Sequence, residues 1–227
     1  MKKRIFLLSF LICTVLLLTA CSSDNYKLAL NNVSEYRKEL YVGSNEQVVA
    51  SYICGERESV YAMDGISTEP TEFGVLTFFV NEELEGVPQY TLVIDGQTFS
   101  GDLEQNPFDG SYVADIGKCL GGSNISATIS LGEFSSQVEL KKVNVDWEID
   151  GEKALEITCK KMGKEFKDFM ENGAFLGECY IKIVNDSSIS TNEYYWYVNI
   201  INGQGRSFSA IIDPHSGEVL AKKSLNR

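Results

Sequence analysis

The sequence predicts a β-rich chain in two parts: an antiparallel, immunoglobulin-like β-sandwich over 28–143, and a small α+β unit over 144–227 in which one helix packs on an antiparallel sheet. Three observations lead there. Between 28 and 143 short strand-like runs at 46–54, 72–81, 89–94, 110–116, 125–131 and 134–143 follow one another between turn signals, and no long helical period interrupts them. Over 152–171, Leu155, Cys159, Met162, Phe166 and Phe169 recur at four-three-four-three spacing among charges, the pattern of an amphipathic helix. Over 194–222, Trp196, Val198 and Ile200 alternate with polar and tyrosine residues, as do Phe208, Ala210 and Ile212, so one face of a terminal sheet must be buried.

At the start of the chain Lys2, Lys3 and Arg4 precede an apolar run over 5–18, and Leu18, Thr19, Ala20 and Cys21 close it. Basic, apolar and small-residue regions in that order make 1–20 a secretory signal peptide. The run is shorter than the roughly 18 to 20 residues that a membrane span needs. Its closing four residues resemble the bacterial lipobox, which implies that Cys21 carries lipid and becomes the first mature residue. Residues 21–27 are then a lipidated tether too short to hold the first domain far from the membrane. This placement is extracytoplasmic, with the lipid as the only membrane contact.

Within 28–143, Asp95-Gly96 and Gly132-Glu133 fit two-residue hairpin turns. The immunoglobulin comparison extends to class alone, because no Trp lies between Cys54 and Cys119 and Gly117 stands where a tyrosine corner would put Tyr. Beyond the boundary, Asp150 is placed to cap the helix and Asn172-Gly173 to stop it. A Gly-rich turn after Ile201 and the Pro214-His215-Ser216-Gly217 turn separate three final strands.

The second part resembles the PepSY domain, a module of thermolysin-like peptidase propeptides and bacterial envelope proteins. The resemblance rests on Lys153-Ala154-Leu155-Glu156-Ile157 at the helix start, on Tyr195-Trp196-Tyr197-Val198, and on the run from Ile211 through Asp213, Gly217, Glu218 and Val219 to Leu220. It covers a little over a third of the chain, and no peptidase domain follows in this sequence. The resemblance implies a helix-on-sheet fold, no catalytic residues, and a role in binding or restraining peptidases.

Of six cysteines, Cys13 leaves with the signal and Cys21 takes lipid. Cys54, Cys119, Cys159 and Cys179 remain as candidate disulfide partners, two per part; four cysteines allow three connectivities, and free buried thiols are the alternative. Cys159 on the helix stripe and Cys179 on a strand face shared with Ile181 and Ile183 both point to the same core. No C-x-x-C is present for a zinc site, and His215, the single histidine, sits in a turn. Asp213, His215 and Ser216 are too close in sequence for a catalytic triad, and no metal or cofactor is expected. The charged loop from Gly55 to Gly65 lacks the spacing of a calcium site.

The net charge of −12 becomes about −15 once the signal's three cations are removed, which excludes electrostatic binding of nucleic acid. The candidate recognition surface is the sheet face opposite the helix, Tyr180, Tyr195, Tyr197, Asn199, Ile201 and Ile211; the alternative is that this face docks on the β-sandwich. The expected function is a non-catalytic surface lipoprotein that binds a protein or peptide of the cell envelope. The alternatives are an envelope hydrolase using scattered carboxylates, among which no pair stands out, and a solute-binding component of a transporter, which needs two α/β lobes.

Overall fold

The computed structural model describes residues 21–59, 68–82, 84–185 and 193–225; the expected signal segment at 1–20 and residues 60–65 of the charged loop lie outside them, while Gly55 to Glu58, expected in that loop, belong to a strand. The first described element is a helix, α1 (Cys21–Leu30), where the sequence predicts a tether and the beginning of a strand. The reason is packing: Ala29 is fully buried, and Tyr26, Leu28 and Leu30 lie half-buried against the same apolar core.

Among the described residues nine strands follow: β1 (Val33–Ser44), β2 (Val48–Glu58), β3 (Pro70–Val80), β4 (Gln89–Ile94), β5 (Gln97–Asp102), β6 (Glu104–Gln105), β7 (Tyr112–Asp115), β8 (Ile125–Leu131) and β9 (Phe134–Lys142). The β4–β5 and β8–β9 hairpins turn at the expected Asp95-Gly96 and Gly132-Glu133. Asp95 and Gly96 both take positive φ, 47° and 86°, as a two-residue turn between twisted strands requires. Tyr41, Ala50, Tyr52, Leu76 and Phe78 from β1, β2 and β3 meet Leu92, Ala127, Ile129, Val138 and Leu140 from β4, β8 and β9 in one core.

The helix α2 (Gly151–Met162) begins as the sequence reads, with the Asp150 side chain accepting a hydrogen bond from the backbone N–H of Lys153 at 2.7 Å. It ends earlier than the expected 171. Gly163 takes φ 56° and the chain tightens into a 3-10 helix, Gly163–Phe169, which keeps Phe166 and Phe169 on the buried stripe. Asn172 and Gly173, expected to stop a helix, instead form the turn of a ribbon made by β10 (Met170–Glu171) and β11 (Ala174–Phe175). The chain closes with β12 (Gly177–Asn185), β13 (Tyr194–Asn202), β14 (Ser207–Ile212) and β15 (Val219–Leu225).

The architecture is mostly antiparallel, with strands in the order β15-β14-β13-β12-β1-β2-β3-β7-β6 and β9 joining β8, β4 and β5 to β1. Among the described residues a single parallel pairing, β1 with β12, carries the sheet across the expected boundary at 143. β1 is shared because its two ends have different neighbours: Val33, Glu35 and Tyr36 pair with β12, while Tyr41 and Val42 pair with β9. Over the C-terminal strands α2 lays Ala154, Leu155, Cys159 and Met162 on Ile181, Ile183, Trp196, Val198, Ile200, Phe208 and Ile212. Gly151 lets the helix start sit close, since a Cβ there would lie 2.4 Å from the Tyr36 ring. The Gly151 N–H donates to the Tyr36 hydroxyl at 3.2 Å, which ties α2 to β1.

Candidate interaction surface

Strand alternation builds this surface. Because Trp196, Val198 and Ile200 of β13 point under α2, Tyr195, Tyr197, Asn199 and Ile201 must point the other way. The ladders then align rows across the sheet. Glu35, Tyr180, Asn199, Ser209 and Lys223 form one row, and Lys182, Tyr197, Ile211 and Ala221 the next. Tyr195, Tyr197, Asn199, Ile201 and Ile211 are all half-buried, the exposure of side chains that shield one another on an open face.

Tyr180 shares this face but is only 1% exposed. Its hydroxyl donates to Glu178, and the Lys182 ammonium lies 5.1 Å from the centre of its ring. With Glu178 and Glu35 equally buried, this part of the face is covered, and Tyr180 leaves the candidate recognition set.

Beside Tyr180 runs a band of charge that the sequence reading did not find. Glu35 is 3% exposed and accepts from Arg37 Nε at 2.7 Å; its other oxygen meets Lys182 Nζ at 2.5 Å. Burial alone would raise the Glu35 pKa, but the two cations and their hydrogen bonds outweigh it and hold the carboxyl below its ordinary value. Burial lowers the pKa of Lys182, with Glu35 opposing the shift. Across the sheet Glu35 stands opposite Arg57, whose guanidinium lies 4.7 Å from the Phe73 ring centre and bonds Asp115 at 2.9 Å. A signal was available in Glu35 and Arg37 flanking Tyr36, a period of two.

At one end the face runs into a groove of about 710 Å³ lined by Lys142, Val143, Val145, Asp146, Trp147, Glu193, Tyr194, Tyr195, Asp213, Pro214 and His215. Trp147 packs edge-on against Trp196, with ring centres 5.0 Å apart, and Trp196 Nε1 donates to the Ile149 carbonyl at 2.7 Å. The Ile149 N–H donates to the Pro214 carbonyl at 2.9 Å and fixes the two walls together. Asp213 accepts from the backbone N–H groups of His215 and Ser216 and from the Ser216 hydroxyl, bonds that lower its pKa and turn it into its own loop. His215 therefore belongs to a hydrogen-bonded turn.

Cys54 and Cys119 form a disulfide that joins β2 to the loop after β7. Cys159 and Cys179 are free thiols buried in the helix-side core, and burial pushes the Cys159 thiol up to about 12, far from a reactive thiolate. Cys21 is the first residue of α1. Among the described residues no three His, Cys, Asp or Glu side chains cluster to hold a metal ion, and no helix is long and apolar enough to cross a membrane.

Comparison of the chain with protein-family models, with curated proteins and with solved structures finds no match.

Proposed function

We propose that this chain is a non-catalytic, lipid-anchored protein of the bacterial cell envelope that uses the open sheet face of a PepSY-like C-terminal unit to bind a protein or peptide partner, an extracellular peptidase among the partner classes. The observation that carries the reading is the face itself. Tyr195, Tyr197, Ile201 and Ile211 remain half-exposed while the alternate residues of the same strands are fully packed under α2. Amphipathic aromatics on a rigid sheet supply contact area at little entropic cost, which suits recognition better than catalysis. A helix laid on an antiparallel sheet, opened by Asp150 and closed by the Asp213 turn, supports the PepSY-like assignment. The two strand groups that enclose the Tyr52 and Leu92 core support an immunoglobulin-like sandwich for the first part. Lipid anchoring rests on the sequence of 1–21.

The test is affinity capture from the native cell surface using the wild-type chain and a Tyr195→Ala/Tyr197→Ala variant. If the two tyrosines are interface hot spots, their loss costs about 2 kcal/mol or more, roughly thirtyfold in affinity. Equal recovery of the same partner by a folded double variant refutes the face as the binding site. In parallel, Cys21→Ala is expected to free the protein from the membrane fraction; unchanged membrane association and mass refute the anchor.

A further inference from the structure

We infer that the groove beside Trp147 takes a cationic side chain, Lys or Arg, carried by an extended peptide whose backbone continues across Tyr195 onto the open face. The inference rests on the recognition role proposed above and specifies the chemistry of its ligand. Charge complementarity argues for it first. The groove has carboxylates at Asp146, Glu193 and Asp213 against one ammonium, that of Lys142, which is held by Glu39 at 2.5 Å. Asp213 is spent on its own turn, as described, so two carboxylates face the opening. Among the described residues exposed Asp146 accepts no hydrogen bond and exposed Glu193 accepts only that of the Tyr195 hydroxyl, at 2.6 Å.

The aromatic walls argue for it second. Trp147, Tyr194 and Tyr195 are half-buried, leaving part of their surface to the groove, and a cation placed over such rings gains from their negative faces as well as from the carboxylates. The volume lies within the range of pockets that hold small ligands, ample for one long side chain. Continuity argues for it third. Tyr195 lines the groove and also stands on the open face two residues from Tyr197, so one ligand reaches both.

The experiment titrates the full chain with a ten-residue peptide alternating Arg and Thr, and with its counterpart carrying Glu for Arg, following tryptophan fluorescence and heat. The Arg peptide is expected to bind and to change the fluorescence, and the Glu peptide to do neither. Asp146→Asn/Glu193→Gln, both at exposed positions, is expected to weaken the Arg peptide about tenfold, the sum of two exposed charge contacts. The distant pair Glu104→Gln/Glu133→Gln is expected to leave Kd within about twofold. The inference is overturned if the Arg peptide does not bind, if the groove variant binds it unchanged, or if the distant pair weakens it equally, which would mean attraction to bulk charge. Should the groove variant keep the envelope partner while Tyr195→Ala/Tyr197→Ala loses it, the cation site fails and the sheet-face reading stands.

Discussion

Glu35 of β1 stands opposite Tyr180 of β12 in a parallel pair, although the two come from opposite ends of the chain. The buried charged row beside the tyrosine face is therefore assembled by a strand that belongs in sequence to the first half. Ala29 of α1 and Leu40 of β1 also fill the core under α2. A fragment of residues 144–227 lacks both and leaves the β12 edge unpaired, which favours association with other chains. It is expected to lose at least about 3 kcal/mol relative to the chain from 21 onward, because it opens part of that core. Denaturant unfolding with sedimentation checks this; a monomeric fragment of undiminished stability would show that β1 is dispensable.

Trp196 and Tyr197 are neighbours with opposite fates. Trp196 is 2% exposed, packs on Trp147 and Tyr36, and donates to Ile149; Tyr197 is half-exposed. Trp196→Ala is expected to cost about 3 to 5 kcal/mol and Tyr197→Ala under about 1 kcal/mol in thermal or chemical melts. Equal losses would place Tyr197 in a packed core and remove it from the recognition surface.

Glu35 makes stability depend on pH. Its folded-state pKa lies below the ordinary 4.5, so the deprotonated form is favoured by folding. That contribution is fully present above about 4.5 and is lost as pH falls through the lower folded value. Glu35→Gln, which removes the carboxylate that pairs with Arg37 and Lys182, is expected to lower Tm at pH 7 and to differ less from wild type as pH falls toward 3. A Tm gap that stays constant from pH 7 to 3 contradicts the pairing.

The Cys54–Cys119 disulfide spans a sequence separation of 65 residues. Closing a loop of that length in the unfolded chain stabilises by about 4 kcal/mol in the chain-entropy account. Cys54→Ser/Cys119→Ser is expected to lose an amount of that order in urea unfolding, while Cys159→Ser affects only the helix-side core. No change on removing the first pair would rule out the bond in the folded protein.

The sequence carries much of this fold in its periodicities. β4 and β8 occupy the expected 89–94 and 125–131, and Asp150 opens α2 as its side chain predicts. What escaped has physical causes. β1 carries register shifts between Val33 and Glu35 and between Arg37 and Glu39, which break the alternation by which a strand is read. α1 is short and polar, and its helical state depends on Ala29 meeting a core built from residues far along the chain. Gly163 ends α2 while the apolar stripe runs on, so periodicity alone overstates the helix. The tyrosine face followed from alternation, but the burial of Tyr180 did not, because it lies where β12 pairs with β1, a strand from far along the chain, beside the equally buried Glu35 and Glu178.

The central claim is that the face carrying Tyr197 meets a partner in the cell envelope. The most direct measurement places a photo-crosslinking amino acid at Tyr197 and, separately, at exposed Lys141 of β9, then irradiates living cells. The account predicts a discrete adduct from position 197 that is absent from position 141 and is lost in the Tyr195→Ala background. Adducts from 141 alone, or identical adducts from both positions, would contradict it.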